Sequence, residues 1–294
     1  MNLTKTPFKR TYLHIWRTGT AYETNKKLLY HQEWNNVKFS LLPFPSTRYV
    51  KVCDIRKPFS LPENTFDAVY ANHVLEHLKP EEGAAFIDEL YRILKSGGIC
   101  RIVVPDLEAK CREYLDCLDE AFRDPSEKNT QKYRWSVLDL IDQMVRKERG
   151  GLMQDALKKG DVDWIQIKRT SGDVFDQWNP GSDEEINTSS DWKSRNKIKG
   201  KITGNSFREM FYAAYRKVLL RYFKNDPRKT REANMWMYDK ISLRLLVENQ
   251  GFVDYELKGF NDSNIEDWQR YNFDQSVQGI YPLEPSLYIE CKKP

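Results

Sequence analysis

The run from Tyr49 to Asp106 is the feature that most limits what this chain can fold into. "YVKVCDI" reads as a short strand ending at Asp54, and "RKPFSLPENT" as a proline-punctuated loop. "FDAVYANHVL" is a mostly apolar strand of the kind covered on both faces. Pro80 suits the first position of a helix, where its missing N–H costs nothing. Along that helix Ala84, Phe86, Ile87, Leu90, Ile93 and Leu94 recur at helical spacing. Lys95 falls in its last turn and Gly97-Gly98 stop it. "ICRIVVPDL" is the next buried strand. Strand, loop, strand, helix, strand is a parallel α/β pattern.

The flanking segments extend this pattern. Tyr12–Ile15 is a short apolar strand running into a turn, Trp16–Gly19, whose only glycine is Gly19. Late in the chain, "MYDKISLRLLVENQGF" reads as a helix closed by Gly251, "VDYELKGF" as a strand and "SLYIECKKP" as a final strand. A late helix followed by two strands is how a seven-stranded sheet with one reversed hairpin would finish. In open parallel sheets, ligands sit beyond the carboxyl ends of the strands, where strand order reverses. Trp16–Gly19, Asp54, Asn72-His73 and Pro105-Asp106 fall along that rim, and their convergence argues for a site.

From Glu108 to about Arg231 the α/β rhythm stops and the chain is polar and helical, with a loop at "GDVFDQWNPGSDEEINTSSDW". The expected organisation is therefore a core in two parts, 1–107 and 232–294, interrupted by a helical segment, 108–231, on the acceptor side. Charge is uneven within that segment. Trp192 to Arg231 holds 13 lysines and arginines against 2 acids, whereas Asp155 to Asp191 holds 9 acids against 4 bases. "SFREMFYAAYRKVLLRYFK" is an amphipathic helix that either packs its aromatics on the core or forms a basic wall for an anionic ligand.

The net charge of +4 is too small to imply a nucleic-acid partner. The first residues, "MNLTKTPFKRTYLHI", lack a long apolar stretch of the secretory type, and no apolar run reaches the ~18–20 residues of a membrane span. The 5 cysteines lack zinc-type spacing and read as free thiols, so a cytoplasmic location is expected. Walker-type phosphate loops and Gly-x-Ser-x-Gly elbows are absent from the sequence.

Three stretches carry a resemblance. "DIRKPFSLPENTFDAVYANHVLEHL", the "ILKSGGICRIVVPDLE" that follows, and "WMYDKISLRLLVENQGF" with "SLYIECKKP" resemble the class I S-adenosylmethionine-dependent methyltransferases of the type 11 group. "DQMVRKERGGLM" resembles a subset associated with glycan and polysaccharide pathways. The resemblance implies a Rossmann-like, mostly parallel sheet in the order 3-2-1-4-5-7-6, S-adenosylmethionine as cofactor, and a small-molecule or glycan acceptor. It further implies that the turn after the first strand, from Ile15 through Trp16 to Gly19, approaches the methionine moiety. An acid ending the second strand would hold the ribose, Asp54 the adenine amino group with Ile55 on the ring, and Asn72 and His73 the floor beneath the sulfonium.

Two of these positions depart from the family pattern. Trp16 stands where a glycine permits close backbone approach. Aligning "EWNNVKF" with the family pattern puts Lys38, a donor without acceptor capacity, in the place of the ribose acid. A mismatched buried donor costs ~1–3 kcal/mol, a ten- to hundredfold weakening. Glu23 or Glu33 is the alternative acid. His73 is the candidate general base and Asp106 the candidate group on the acceptor side, although both also suit structural roles. The break after the strand is expected to separate His73 from Glu76 and His77, which argues against a metal cluster. Trp236, Tyr238 and Asp239 suit either an aromatic wall for a sugar-like acceptor or a fastening for the helical segment. Arg146 suits a carboxylate or phosphate, or plain exposure on a helix. Three readings stay open: an active methyltransferase with an altered cofactor site, an inactive protein of that fold serving as a binding or regulatory partner, and an enzyme that uses the cofactor cleft for another ligand or reaction.

Overall fold

A computed structural model describes residues 11–16, 34–39, 50–148, 150–172, 175, 227–229, 231–275, 282 and 284–294. Its centre is a sheet of 7 strands: β1 (Tyr12–Trp16), β2 (Trp34–Phe39), β3 (Val50–Cys53), β4 (Phe66–Asn72), β5 (Leu94–Val104), β6 (Val253–Lys258) and β7 (Leu287–Lys292). The order is β3-β2-β1-β4-β5-β7-β6. Strand β1 pairs parallel with both β2 and β4, while β7 runs antiparallel to β5 and β6. This is the sheet expected from the sequence, and strand order reverses between β1 and β4.

Alternation along the strands divides the core. Leu13, Ile15, Val37, Phe39, Val69 and Ala71 face α1 (Pro80–Ile93), which contributes Phe86, Ile87 and Leu90. Tyr12, Trp34, Tyr70, Val103 and Tyr288 form a second cluster with Ile265, Trp268, Tyr271 and Phe273. The chain beyond β6, including α7 (Trp268–Tyr271), thus folds back to cover that face of the sheet.

A charge is buried in this second layer. Arg101, at the middle of β5, is completely enclosed and donates to Asp274 at 3.0 Å, Glu290 at 3.0 Å and the carbonyls of Gly259 and Asp262 at 3.0 and 2.8 Å. The Tyr70 hydroxyl also donates to Asp274, and the guanidinium lies 4.4 Å from the centre of the Trp268 ring. A guanidinium can leave water only when paired in this way.

Two element ends differ from the sequence reading. Helix α1 stops at Ile93, and Leu94 is already extended, fully buried and in register with Phe66. Lys95 therefore leaves the helix and pairs with Asp67 at 2.8 Å, while Gly97, at φ +74°, makes the bend within β5. Strand β4 ends at Asn72 because His73 adopts a left-handed conformation, φ +48°, and Leu75–His77 form a 3₁₀ turn.

Between β5 and β6 the described chain forms α2 (Leu107–Arg123), α3 (Glu127–Val145), α4 (Gly151–Lys159), α5 (Trp164–Ser171) and α6 (Lys240–Asn249). Trp135, Met153, Leu157, Val162 and Ile167 give α3–α5 a core of their own. The amphipathic stretch 206–224 lies outside the described residues, as does nearly all of the acidic loop before it.

Removing one carboxylate from Arg101 tests its role. Asp274→Ala leaves a buried guanidinium short of the carboxylate oxygen that accepts from both its Nε and Nη2 and is expected to cost about 3–5 kcal/mol in urea unfolding; a loss below about 1 kcal/mol would show the network to be dispensable.

Candidate functional site at the carboxyl rim of the sheet

Parallel register aligns the ends of the strands. Lys38 of β2 and Asn72 of β4 are the register partners of Trp16 on its two sides. Lys38 in turn pairs with Val52 of β3, and Asn72 with Val103 of β5. The sequence reading thus puts Lys38, Trp16 and Asn72 in one row across the point where strand order reverses, and the structure brings them together there. The Lys38 ammonium sits 5.4 Å from the centre of the Trp16 ring, within cation–π range. Gly19, Glu23 and Glu33 lie outside the described residues.

Ile15 and Ile55 are almost completely buried in the α1-side core. Asp54 follows β3 and is gripped by Arg56, which donates from Nε at 2.8 Å and Nη2 at 2.7 Å. Partial burial disfavours its charge, but the Arg56 bonds outweigh that and hold the carboxyl below its ordinary range. Beside it opens a cavity of about 310 Å³, lined by Val37, Cys53, Asp54, Pro58, Phe59 and Leu61 among others.

His73 lies at the centre of an acid–base cluster. Its Nδ1 is 3.3 Å from Glu76, and its Nε2 is 3.2 Å from the Ser286 hydroxyl and 3.7 Å from Glu284. Glu76 also lies 3.8 Å from His77. The separation expected from the strand break is therefore wrong: the left-handed turn at His73 folds the 3₁₀ segment back, bringing Glu76 onto the imidazole. Among the described residues, however, no group of three His, Cys, Asp or Glu side chains is placed to hold a metal ion. Burial works against a charged His73, but Glu284 and then Glu76 outweigh it and raise its pKa to about 9. Glu76 is held below its ordinary range, because His77 and His73 overcome its own burial. At neutral pH His73 is thus an imidazolium and donates; it cannot serve as a base in that state.

Several buried polar atoms at this rim have no hydrogen-bond partner: Trp16 Nε1, Asn72 Oδ1, Glu76 Oε2, Tyr238 Oη and Glu284 Oε2. Such groups cost ~1–3 kcal/mol each unless a ligand or water completes them. Tyr238 reaches this position because α1 has Gly83 beside it; a Cβ there would stand 2.9 Å from the hydroxyl.

Other expected site residues have evident structural partners. Asp106 caps α2, accepting from the Ala109 amide at 3.1 Å. Asp239 caps α6, accepting from the amides of Ile241 and Ser242 at 2.9 and 2.8 Å. Trp236 is 45% exposed, and its amide is anchored to the Glu76 carbonyl at 3.1 Å. Arg146 is not exposed; it donates to the Glu232 carbonyl at 3.0 Å, and burial lowers its pKa although the Asp142 and Glu232 carboxylates act the other way. Sequence reading missed Glu284 and Ser286, which stand in "YPLEPS" with no periodicity to single them out.

Residues 13–102 match one family profile, described as a methyltransferase domain. That match spans the rim from β1 to β5 and less than half of the chain. Among solved structures, a SAM dependent methyltransferase from Archaeoglobus fulgidus aligns at 12% identity and TM-score 0.39, over 97% of this chain and 87% of that one. Phosphoethanolamine N-methyltransferase 2 from Haemonchus contortus, in complex with S-adenosyl-L-methionine, aligns at 11% identity and TM-score 0.35, over 98% of this chain but only 50% of that one. Likenesses this distant carry no argument about activity. No curated protein sequence matches the chain. No helix among the described residues is long and apolar enough to cross a membrane.

The His73 cluster yields a pH prediction. Its pKa rises from 6.5 to about 9 on folding, so its contribution to stability is complete below about pH 6.5 and is lost as pH climbs through about 9. NMR titration of the His73 ring should give a midpoint near 9, falling in Glu284→Gln; a midpoint near 6.5 would contradict the assignment.

Proposed function

We propose that this chain is an S-adenosylmethionine-dependent methyltransferase with an altered cofactor site, acting on a small-molecule or glycan acceptor. The observation that carries the reading is that Trp16 Nε1, Asn72 Oδ1 and Glu76 Oε2 are buried and unpaired at the strand-order reversal, inside the stretch that matches a methyltransferase domain. Asn72 Oδ1 suits the ammonium of an amino-acid moiety, which brings the donors that this oxygen lacks. The cavity beside Asp54 joins apolar walls from Val37, Pro58, Phe59 and Leu61 to a polar lining of Asp54, Lys51, Lys57 and Ser60; the apolar walls suit a flat heteroaromatic base and the carboxylate its amino group.

The fit is poorer between these two ends. Lys38 offers donors where ribose hydroxyls require an acceptor, and the Trp16 indole lies against it. S-adenosylmethionine, when bound, supplies a methyl group made electrophilic by its sulfonium. The residues of this chain orient the partners around it. His73, held as an imidazolium with Nδ1–H on Glu76 and Nε2–H toward Ser286 and Glu284, fixes those groups at the rim; deprotonation of an alcohol by its ring is expected only above about pH 9. The Lys38–Trp16 contact also favours the second reading, a protein of methyltransferase fold that binds without catalysis.

Calorimetric titration with S-adenosylhomocysteine separates these readings. Weak binding by the native chain, tightened about ten- to hundredfold in a Trp16→Gly, Lys38→Asp double variant, is expected. Absence of binding in both, with the fold intact, would overturn the cofactor assignment.

A further inference from the structure

Cys100 and Cys291 are register partners on the antiparallel strands β5 and β7, and both are buried in the core on the α1 side of the sheet. Directly opposed residues of such strands have Cα atoms about 4.5–5.5 Å apart, inside the range of about 4.4–6.8 Å that a disulfide spans. Their side chains leave the sheet on the same face, and the Cys291 thiol donates to the Cys100 carbonyl at 3.8 Å. All 5 cysteines are free thiols, and this is the pair that strand register sets face to face. Cys53 ends β3, about 19 Å from β5 across the sheet. Cys111 and Cys117 stand about 9 Å apart along the axis of α2.

The neighbouring strand gives that pair a way to meet an oxidant. Val253 pairs with Lys292 and Glu256 with Glu290, so two residues of β6, Asp254 and Tyr255, stand opposite Cys291 alone. Asp254 is left-handed at this bulge, φ +53°, a conformation uncommon for any residue but glycine. None of the 6 residues of β6 is buried, and the strand forms the outer edge of the sheet. An exposed, interrupted edge is where a sheet opens first. In the closed sheet, burial and then the Cys100 thiol beside it hold the Cys291 thiol well above its ordinary range, so it is unreactive until that edge opens. We propose that Cys100 and Cys291 are a peroxide-sensitive pair, closing to a disulfide that staples β7 to β5 when the β6 bulge frays. The opened Cys291 thiolate attacks one peroxide oxygen and the O–O bond breaks, leaving a sulfenic acid; the released hydroxide takes up the thiol proton as water. The Cys100 sulfur then attacks the sulfenic sulfur, the S–S bond forms, the S–O bond breaks and a second water leaves. Two thiols have given up two electrons and two protons to one peroxide. The staple holds in place the strand entered from Glu284 and Ser286, the partners of His73, while β6 is loose. It does not depend on methyl transfer.

The test treats the full chain with hydrogen peroxide, then unfolds it in urea for thiol counting and peptide mapping. Two of the 5 thiols should be lost, with Cys100 and Cys291 in one linked peptide. Closure should raise the urea midpoint by about 0.5 M or more, because the bond joins positions 191 apart in the chain, and dithiothreitol should reverse the gain. Cys100→Ala and Cys291→Ala should each abolish the link and the gain, whereas Cys111→Ala should keep both. The mapping on the unaltered chain stands whether or not the alanine variants fold. Tyr255 packs half-buried against the cluster that holds both thiols, so Tyr255→Ala should speed closure about threefold or more. Retention of all five thiols, a sulfinic acid at Cys291 without a link, linkage through another cysteine, or an unchanged midpoint would each overturn the proposal. A closure rate unmoved by Tyr255→Ala would overturn the entry through β6.

Discussion

Everything at the candidate site depends on β1 being hydrogen-bonded in parallel to both β2 and β4. A strand with parallel neighbours on both sides delivers their carboxyl ends to a common rim, and here the register sets Lys38, Trp16 and Asn72 abreast. A slip of one residue in either pairing would send a whole strand's side chains to the opposite face. The two core layers make such a slip costly, since the large rings of Tyr12 and Tyr70 would exchange faces with the smaller Leu13, Val69 and Ala71, and Trp34 with Asn35. Packing deep in the sheet thereby fixes the geometry at its mouth.

The second constraint is the charge buried behind that rim. Arg101 holds Asp274, Glu290 and two carbonyls of the segment after β6, and so ties a stretch of irregular chain onto the sheet face. Trp268, Tyr271 and Phe273 then have a fixed surface against which to pack. The Arg101 network closes one face and α1 closes the other, and at the carboxyl edge five buried polar atoms have no partner, as have others elsewhere, among them His14 Nε2, Trp34 Nε1 and Gln166 Oε1.

Much of this was legible in the sequence, and the limits have physical causes. Buried parallel strands are nearly continuous apolar runs, so β4 and β5 announce themselves, and Pro80 marks the start of α1 from its own chemistry. The rim row followed from where those strands end. Pairings over long separations left no local trace: Arg101 with Asp274, or His73 with Glu284. The end of α1 was misjudged because burial of Leu94 beside Phe66 overrides helical periodicity. Asp106, Tyr238 and Asp239 combine residue types common to caps and to binding sites, and the caps become visible only in the hydrogen bonds of Asp106 and Asp239.

The central claim is that a ligand belongs at the row shared by β2, β1 and β4, where it completes atoms now unpaired. The most direct test is NMR mapping with S-adenosylhomocysteine added in excess, following the Trp16 indole N–H and the Asn72 side-chain amide. Both signals should move on titration while the Trp268 indole, packed on Arg101, stays in place. Unmoved Trp16 and Asn72 signals, at ligand concentrations that shift resonances elsewhere in the chain, would contradict the account.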